Sequence, residues 1–187
     1  MRRIVAVVVF VCLAAGCAAR GAPASSRATP APLPTAPNAS VSDEAFELRI
    51  STPSTQPAPN EPITIETTVT YIGDEAMPAV AHAAGGPVAF ELVDVDHGRS
   101  VGPVVDDACA RGTMRRGVAM PIPFMKSGAF EDDAPADDFV RRYLADPVLR
   151  LPEGHWRVVA HLVAFVGDCT AGGAHELQAA VELVVGS

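Results

Sequence analysis

Glu176-Leu177-Gln178-Ala179-Ala180-Val181-Glu182-Leu183-Val184-Val185 alternates along its whole length. Leu177, Ala179, Val181, Leu183 and Val185 fall on one side, and Glu176, Gln178, Ala180, Glu182 and Val184 on the other. Successive side chains of an extended chain point to opposite faces, so this period describes a strand with one face in a core. Upstream, Leu151-Pro152-Glu153-Gly154-His155-Trp156-Arg157-Val158-Val159-Ala160 turns at its proline and glycine and runs on as a long strand to Phe165. The connection from Gly167 to Gly173 carries Cys169.

The same pattern recurs towards the N-terminus. Phe46, Leu48 and Ile50 alternate with Glu47, Arg49 and Ser51. Ile63, Ile65, Thr67, Val69 and Tyr71 share one face of a second strand rich in β-branched residues. Val88 to Val95 is a third, followed by a tight turn at Asp96-His97-Gly98-Arg99. Ser100 to Val105 is a short fourth strand, placed at an edge because Pro103 has no N–H for a ladder. Val118 to Met125 is a fifth, and Pro121 and Pro123 on one side of it also demand an edge. The stretches 51–62 and 73–87 read as loops. Phe139, Val140, Tyr143 and Leu144 recur at helical spacing between Asp137-Asp138 and Pro147, which predicts a short helix over 137–145 with its acids in the first turn. His161 shares a strand face with His155, Arg157, Val159 and Phe165, the pattern of surface histidines.

Six or seven strands with one short helical insert predict an all-β, antiparallel sandwich over residues 46–187. The approach to its penultimate strand, Leu151-Pro152-x-Gly154-x-Trp156-x-Val158, resembles that of bacterial immunoglobulin-like and fibronectin-III-like domains. The resemblance implies that Trp156 enters the core beside the turn. The pattern is also similar to the bacterial intracellular proteinase inhibitor family, another such sandwich, without an inhibitory loop motif.

At the other end, Arg2-Arg3 precedes an apolar run from Ile4 to Leu13 and then Leu13-Ala14-Ala15-Gly16-Cys17. A positive head, a short apolar middle and a small-residue exit make a secretory signal. The cysteine after Ala-Ala-Gly resembles the lipobox of bacterial lipoproteins. That resemblance implies a signal peptide at 1–16, diacylglycerol and palmitate-type acylation at Cys17, and an extracytoplasmic, membrane-anchored or surface protein. Three other readings stay open: plain secretion with cleavage near Ala18-Ala19, an uncleaved anchor over Ile4 to Ala19, and twin-arginine export from Arg2-Arg3. Residues 17–45 read as a tether. Its 18–40 portion is Ala, Pro, Ser and Thr with Pro23, Pro30, Pro32, Pro34 and Pro37, and at about 3 Å per residue it would reach about 70 Å.

With Cys12 in the leader and Cys17 lipidated, Cys109 and Cys169 remain, and in an oxidising compartment they pair in one way. Two free thiols or a metal pair are the alternatives. An alternating sandwich brings both to one end, since each follows a strand of the same direction.

All 22 acids lie at or after Asp43, whereas Arg2, Arg3, Arg20 and Arg27 precede it, which leaves ten of the 14 bases and a net charge of −12. That argues against nucleic acid and against electrostatic docking on anionic lipid. Asp74, Glu75, His82, Asp106, Asp107, Asp168 and His175 gather at the cysteine end. Of these, His82, Asp106, Asp107, Asp168 and His175 are the metal-ligand candidates, though their spacing is undiagnostic and solvated loop acids are the simpler reading. Glu131, Asp132, Asp133, Asp137 and Asp138 offer calcium ligands at the other end, against a capped helix start. Met77, Met114, Met120 and Met125 read as packing residues. No GxSxG, HExxH or phosphate-cradling glycine loop occurs. The expectation is a non-enzymatic envelope lipoprotein without cofactor, anchored through Cys17, whose domain meets an envelope or extracellular protein. A metal-binding protein and a proteinase-inhibitor-like module are the alternatives.

Overall fold

The computed structural model describes residues 37–105, 107–128, 138–170 and 173–186. The signal, Cys17, most of the tether, Asp106, Glu131, Asp132, Asp133 and Asp137 lie outside these residues. Among the described residues no helix is long and apolar enough to cross a membrane.

The fold is all-β and antiparallel, and the described residues form one short helix and ten strands rather than six or seven. In chain order they are β1 Asn38–Ser42, β2 Phe46–Ser51, β3 Glu66–Tyr71, β4 Ala79–Ala83, β5 Val88–Asp94, β6 Arg99–Val101, β7 Cys109–Thr113, β8 Ala119–Pro123, β9 Gly154–Val166 and β10 His175–Val185, with α1 Asp138–Ala145 before β9. The additional strands are β1, β4 and β7. β1 pairs along β2, Asn38 opposite Ser51, so the sheet begins eight residues before the expected start at Phe46. β4 lies in the stretch read as a Gly/Ala/Pro loop.

One sheet has the order β1-β2-β3-β8 and the other β6-β5-β9-β4-β7, with β10 also on β9. β9 is the spine of the second sheet. β10 runs the length of one edge, from Gly154 opposite Val185 to Ala164 opposite His175. The other edge is shared: β5 takes Trp156 to Leu162, and β4 takes Ala164 to Val166. β8, which carries Pro121 and Pro123, is an edge strand as those prolines require, and β6 is also an edge but stops at Val101, before Pro103.

The alternating faces meet in one core. Phe46, Leu48 and Ile50 of β2 are fully buried, as are Val158, Ala160 and Ala164 of β9 and Val181 and Leu183 of β10. Burying each of the larger of these side chains, valine, leucine, isoleucine or phenylalanine, contributes about 1.5–3 kcal/mol. The face expected for the second strand is buried from Ile63 to Tyr71. Its first residues leave the ladder, and Ile63 N–H donates to Leu149 O instead.

Trp156 enters the core beside the turn, 3% exposed, with its Nε1–H donating to Pro152 O at 3.0 Å. Gly154 makes that turn possible: its φ is +142°, and a Cβ there would sit 3.2 Å from Asp96 Oδ2. Helix α1 begins at Asp138 and docks through Phe139, which stacks on Trp156 at 5.1 Å, and through buried Tyr143. Burial pushes the Tyr143 phenol pKa up. Lys126 Nζ closes the helix end, donating to the carbonyls of Tyr143, Asp146 and Val148 at 2.7, 2.7 and 2.8 Å.

Cys109 and Cys169 are joined in a disulfide. It ties the first residue of β7 to the connection between β9 and β10.

Candidate functional site

The turn between β1 and β2 is built on Asp43. Its Oδ1 accepts from the N–H groups of Ala45 and Phe46 at 2.8 and 2.7 Å, and its own N–H donates to Phe46 O at 3.0 Å. A short acid just before a strand commonly closes a turn in this way. Its other oxygen, Oδ2, accepts from Nδ1 of His175 at 2.8 Å. His175 is the first residue of β10, and its ring stands edge-on to Phe46 at 5.2 Å. Glu44 Oε1 lies 3.9 Å from the same Nδ1, on a side chain 85% exposed.

One ligand atom from each of Asp43, Glu44 and His175 lies within 4.8 Å of the others. Burial raises the Asp43 pKa, but the N–H groups of Phe46 and Ala45 and the His175 imidazole outweigh it, and the net shift is below 3.8. One imidazole and two carboxylates are a donor set for zinc or manganese with positions left for water. An ion would take the place of the proton that Nδ1 now shares with Asp43.

The sequence candidates do not converge as a set. His175 alone belongs to this cluster. Asp168 is held by Arg111 of β7 at 2.5 Å, which lowers its pKa. Asp107 is exposed, and Asp106 lies outside the described residues. His82 of β4 is in register with Ala164, which is in register with His175. The two histidine backbones are thus two strand spacings, about 10 Å, apart. His82 Nδ1 donates to Ala83 O at 2.7 Å, and its ring lines a separate small pocket between the sheets. Of the calcium candidates, Asp138 heads helix α1 as a first-turn acid.

Asp43 and Glu44 escaped the sequence reading. Asp43 is 132 residues from His175, so no spacing links them. The available signal was local: an acid three residues before an alternating strand, where a turn needs an acceptor.

The other histidines lie mainly on the outer face or its rim. His155 meets Glu182 at 3.3 Å, beside Arg157 at 2.8 Å from the same carboxylate, and His161 meets Glu91 at 3.0 Å. His97 meets Asp94 at 2.9 Å, and Arg99 meets it at 2.6 Å. In each pair the carboxylate has its partners, and among the described residues none of them makes a three-donor His/Asp/Glu set like the Asp43 cluster.

The arrangement can hold a cation or present a rigid loop end to a partner. Compared with known protein families and with curated proteins, the chain matches none.

Proposed function

We propose that the chain is an extracytoplasmic lipoprotein: a lipid at Cys17 anchors it, the proline-rich stretch raises it, and an immunoglobulin-like sandwich binds a partner without catalysing a reaction. The observation that carries this reading is the disulfide between Cys109 and Cys169, because such bridges persist outside the reducing cytosol, the compartment to which a signal peptide at 1–16 would direct the chain. Two packed antiparallel sheets and the buried Trp156 beside its Gly154 turn support the immunoglobulin-like assignment. The contact surface is the loop end that holds Asp43, His175 and the disulfide, which the bridge keeps rigid in the free protein.

Expression of the full chain in a bacterial host, with mass spectrometry of its mature N-terminus, tests this. The expected species begins at Cys17 and carries diacylglycerol, and Cys17→Ser moves the protein from the membrane to the soluble fraction. An unacylated N-terminus elsewhere removes the anchor, and intact leader in the cytosol removes the whole reading.

A second reading, extracytoplasmic metal binding, is favoured by the convergence of Asp43, Glu44 and His175. Zinc titration of the purified chain by calorimetry, with His175→Asn as comparison, decides it. One zinc lost on substitution supports it, and no binding in the wild type ends it.

A further inference from the structure

We propose that His82, Met114 and Met120 form a second, chemically different site, one for a soft monovalent ion, Cu(I). His82 is on β4, Met114 directly follows β7, and Met120 is on β8. The sequence separates them by 32 and 6 residues, a spacing that says nothing. The fold brings all three to one pocket of about 50 Å³ between the two sheets, walled otherwise by residues such as Phe46, Val69 and Val80.

The pocket lies where both sheets end. β8 is an edge of the first sheet, and β7 is an edge of the second, on β4. The inner faces of these strands supply the donors. Val80 and His82 alternate with Ala81 on β4, and Met120 is opposite Val69 in the β3–β8 ladder. Met114 is 7% exposed, while His82 and Met120 are half-buried, so the site is enclosed yet reachable from the open side.

The donor chemistry selects the ion. No carboxylate, ammonium or guanidinium lines the pocket. Calcium and magnesium favour several oxygens including carboxylates, and the lining offers no carboxylate. Two thioethers and an imidazole are soft ligands, and soft ligands in an apolar cavity favour Cu(I). The imidazole is already set for the task. A carbonyl oxygen only accepts, so the bond to Ala83 O places a proton on Nδ1 and selects, for metal binding, the tautomer whose lone pair is on Nε2. Among the described residues no hydrogen bond occupies Nε2. The room, about 50 Å³, exceeds the 10–15 Å³ that one water needs, so an ion enters without rebuilding the core. Methionine also tolerates the small rotamer changes that bring two sulfurs onto one ion.

The full-length protein, purified in detergent without chelator, is titrated anaerobically with Cu(I) against a chromogenic Cu(I) chelator. The expected result is one competing equivalent, weakened at least 100-fold in Met114→Leu/Met120→Leu and at least 10-fold in His82→Asn. Leu keeps the packing volume, and Met77→Leu/Met125→Leu and His175→Asn leave the affinity unchanged. The wild type is also labelled at its methionine methyls and titrated with Ag(I). The Met114 and Met120 signals shift, and those of Met77 and Met125 do not. Failure of the wild type to compete overturns the site, as does wild-type affinity in the Met114/Met120 variant. Should that variant not fold, the methyl shifts of the wild type decide alone. The His175 variant separates this site from the Asp43 cluster, so either can fail without the other.

Discussion

Replacing Lys126 by Met removes the charge that closes helix α1 while keeping most of the side-chain volume. Lys126 is the only lysine in the chain. Its ammonium donates to three carbonyls, of Tyr143, Asp146 and Val148, and sits 4.3 Å from the centre of the Tyr143 ring. A hydrogen bond from a charged donor contributes about 1.5–3 kcal/mol net. The bond to Val148 is exposed, so water replaces it cheaply, and the two part-buried bonds carry the effect. Burial opposes them, pulling the lysine pKa below 10.5 while Asp146 pushes it back. The net loss is about 2–3 kcal/mol, or about 5–10 °C in Tm for a domain of this size. Lys126→Arg recovers less than half of it, because a planar fork cannot aim three donors from one nitrogen. Urea unfolding is followed by the fluorescence of Trp156, the single tryptophan, which stacks on Phe139 of the same helix. A Met variant within 0.5 kcal/mol of wild type on this scale of hydrogen-bond energies, or an Arg variant equal to wild type, refutes the reasoning.

Three other outcomes are expected. Ser at both Cys109 and Cys169 opens a loop with a sequence separation of 60 and lowers stability by up to about 4 kcal/mol, read from urea midpoints with and without reductant. Thr67→Val raises stability by about 1 kcal/mol, because the Thr67 hydroxyl is buried without a partner; calorimetry that shows a lower Tm contradicts this. Acid weakens the fold in a defined window. Asp43, Asp94 and Glu182 have pKa values below their ordinary 3.8, 3.8 and 4.5, since bonds from Phe46 N–H, Arg99 and Arg157 respectively, with their other partners, outweigh burial. Below those ordinary values the unfolded chain takes up protons that the native carboxylates refuse. The stability they lend is therefore complete above about pH 5 and falls towards pH 3. Urea midpoints at pH 7, 5, 4 and 3 measure it, and Asp43→Asn flattens the acid limb.

The strands that were legible are those where one face is apolar and the other polar. Leu177 to Val185 and Phe46 to Ile50 announce themselves because burial on one side imposes the period. β4 did not, since Ala79-Val80-Ala81-His82-Ala83 lies in a small-residue context and its outer residue Ala81 is buried too, erasing the alternation. β7, Cys-Ala-Arg-Gly-Thr, is an exposed edge with no apolar face to show. β1 shares its composition with the tether before it, and only pairing with β2 distinguishes it. The disulfide was legible because two cysteines allow one pairing. The Asp43–His175 contact was not, because the first turn and the last strand meet only once both sheets have formed. The same holds for His82 and the two methionines, which β4, the residue after β7, and β8 bring to one pocket.

The bridge between Cys109 and Cys169 also makes the chain a ring with two tails. That ring contains β7, β8, α1 and β9. One peptide-bond cut anywhere inside it does not release a fragment, since the sulfur link still joins both pieces. Under denaturing conditions a protein nicked there runs as a single species until reductant is added and then separates into two, whereas one cut in either tail separates without reductant.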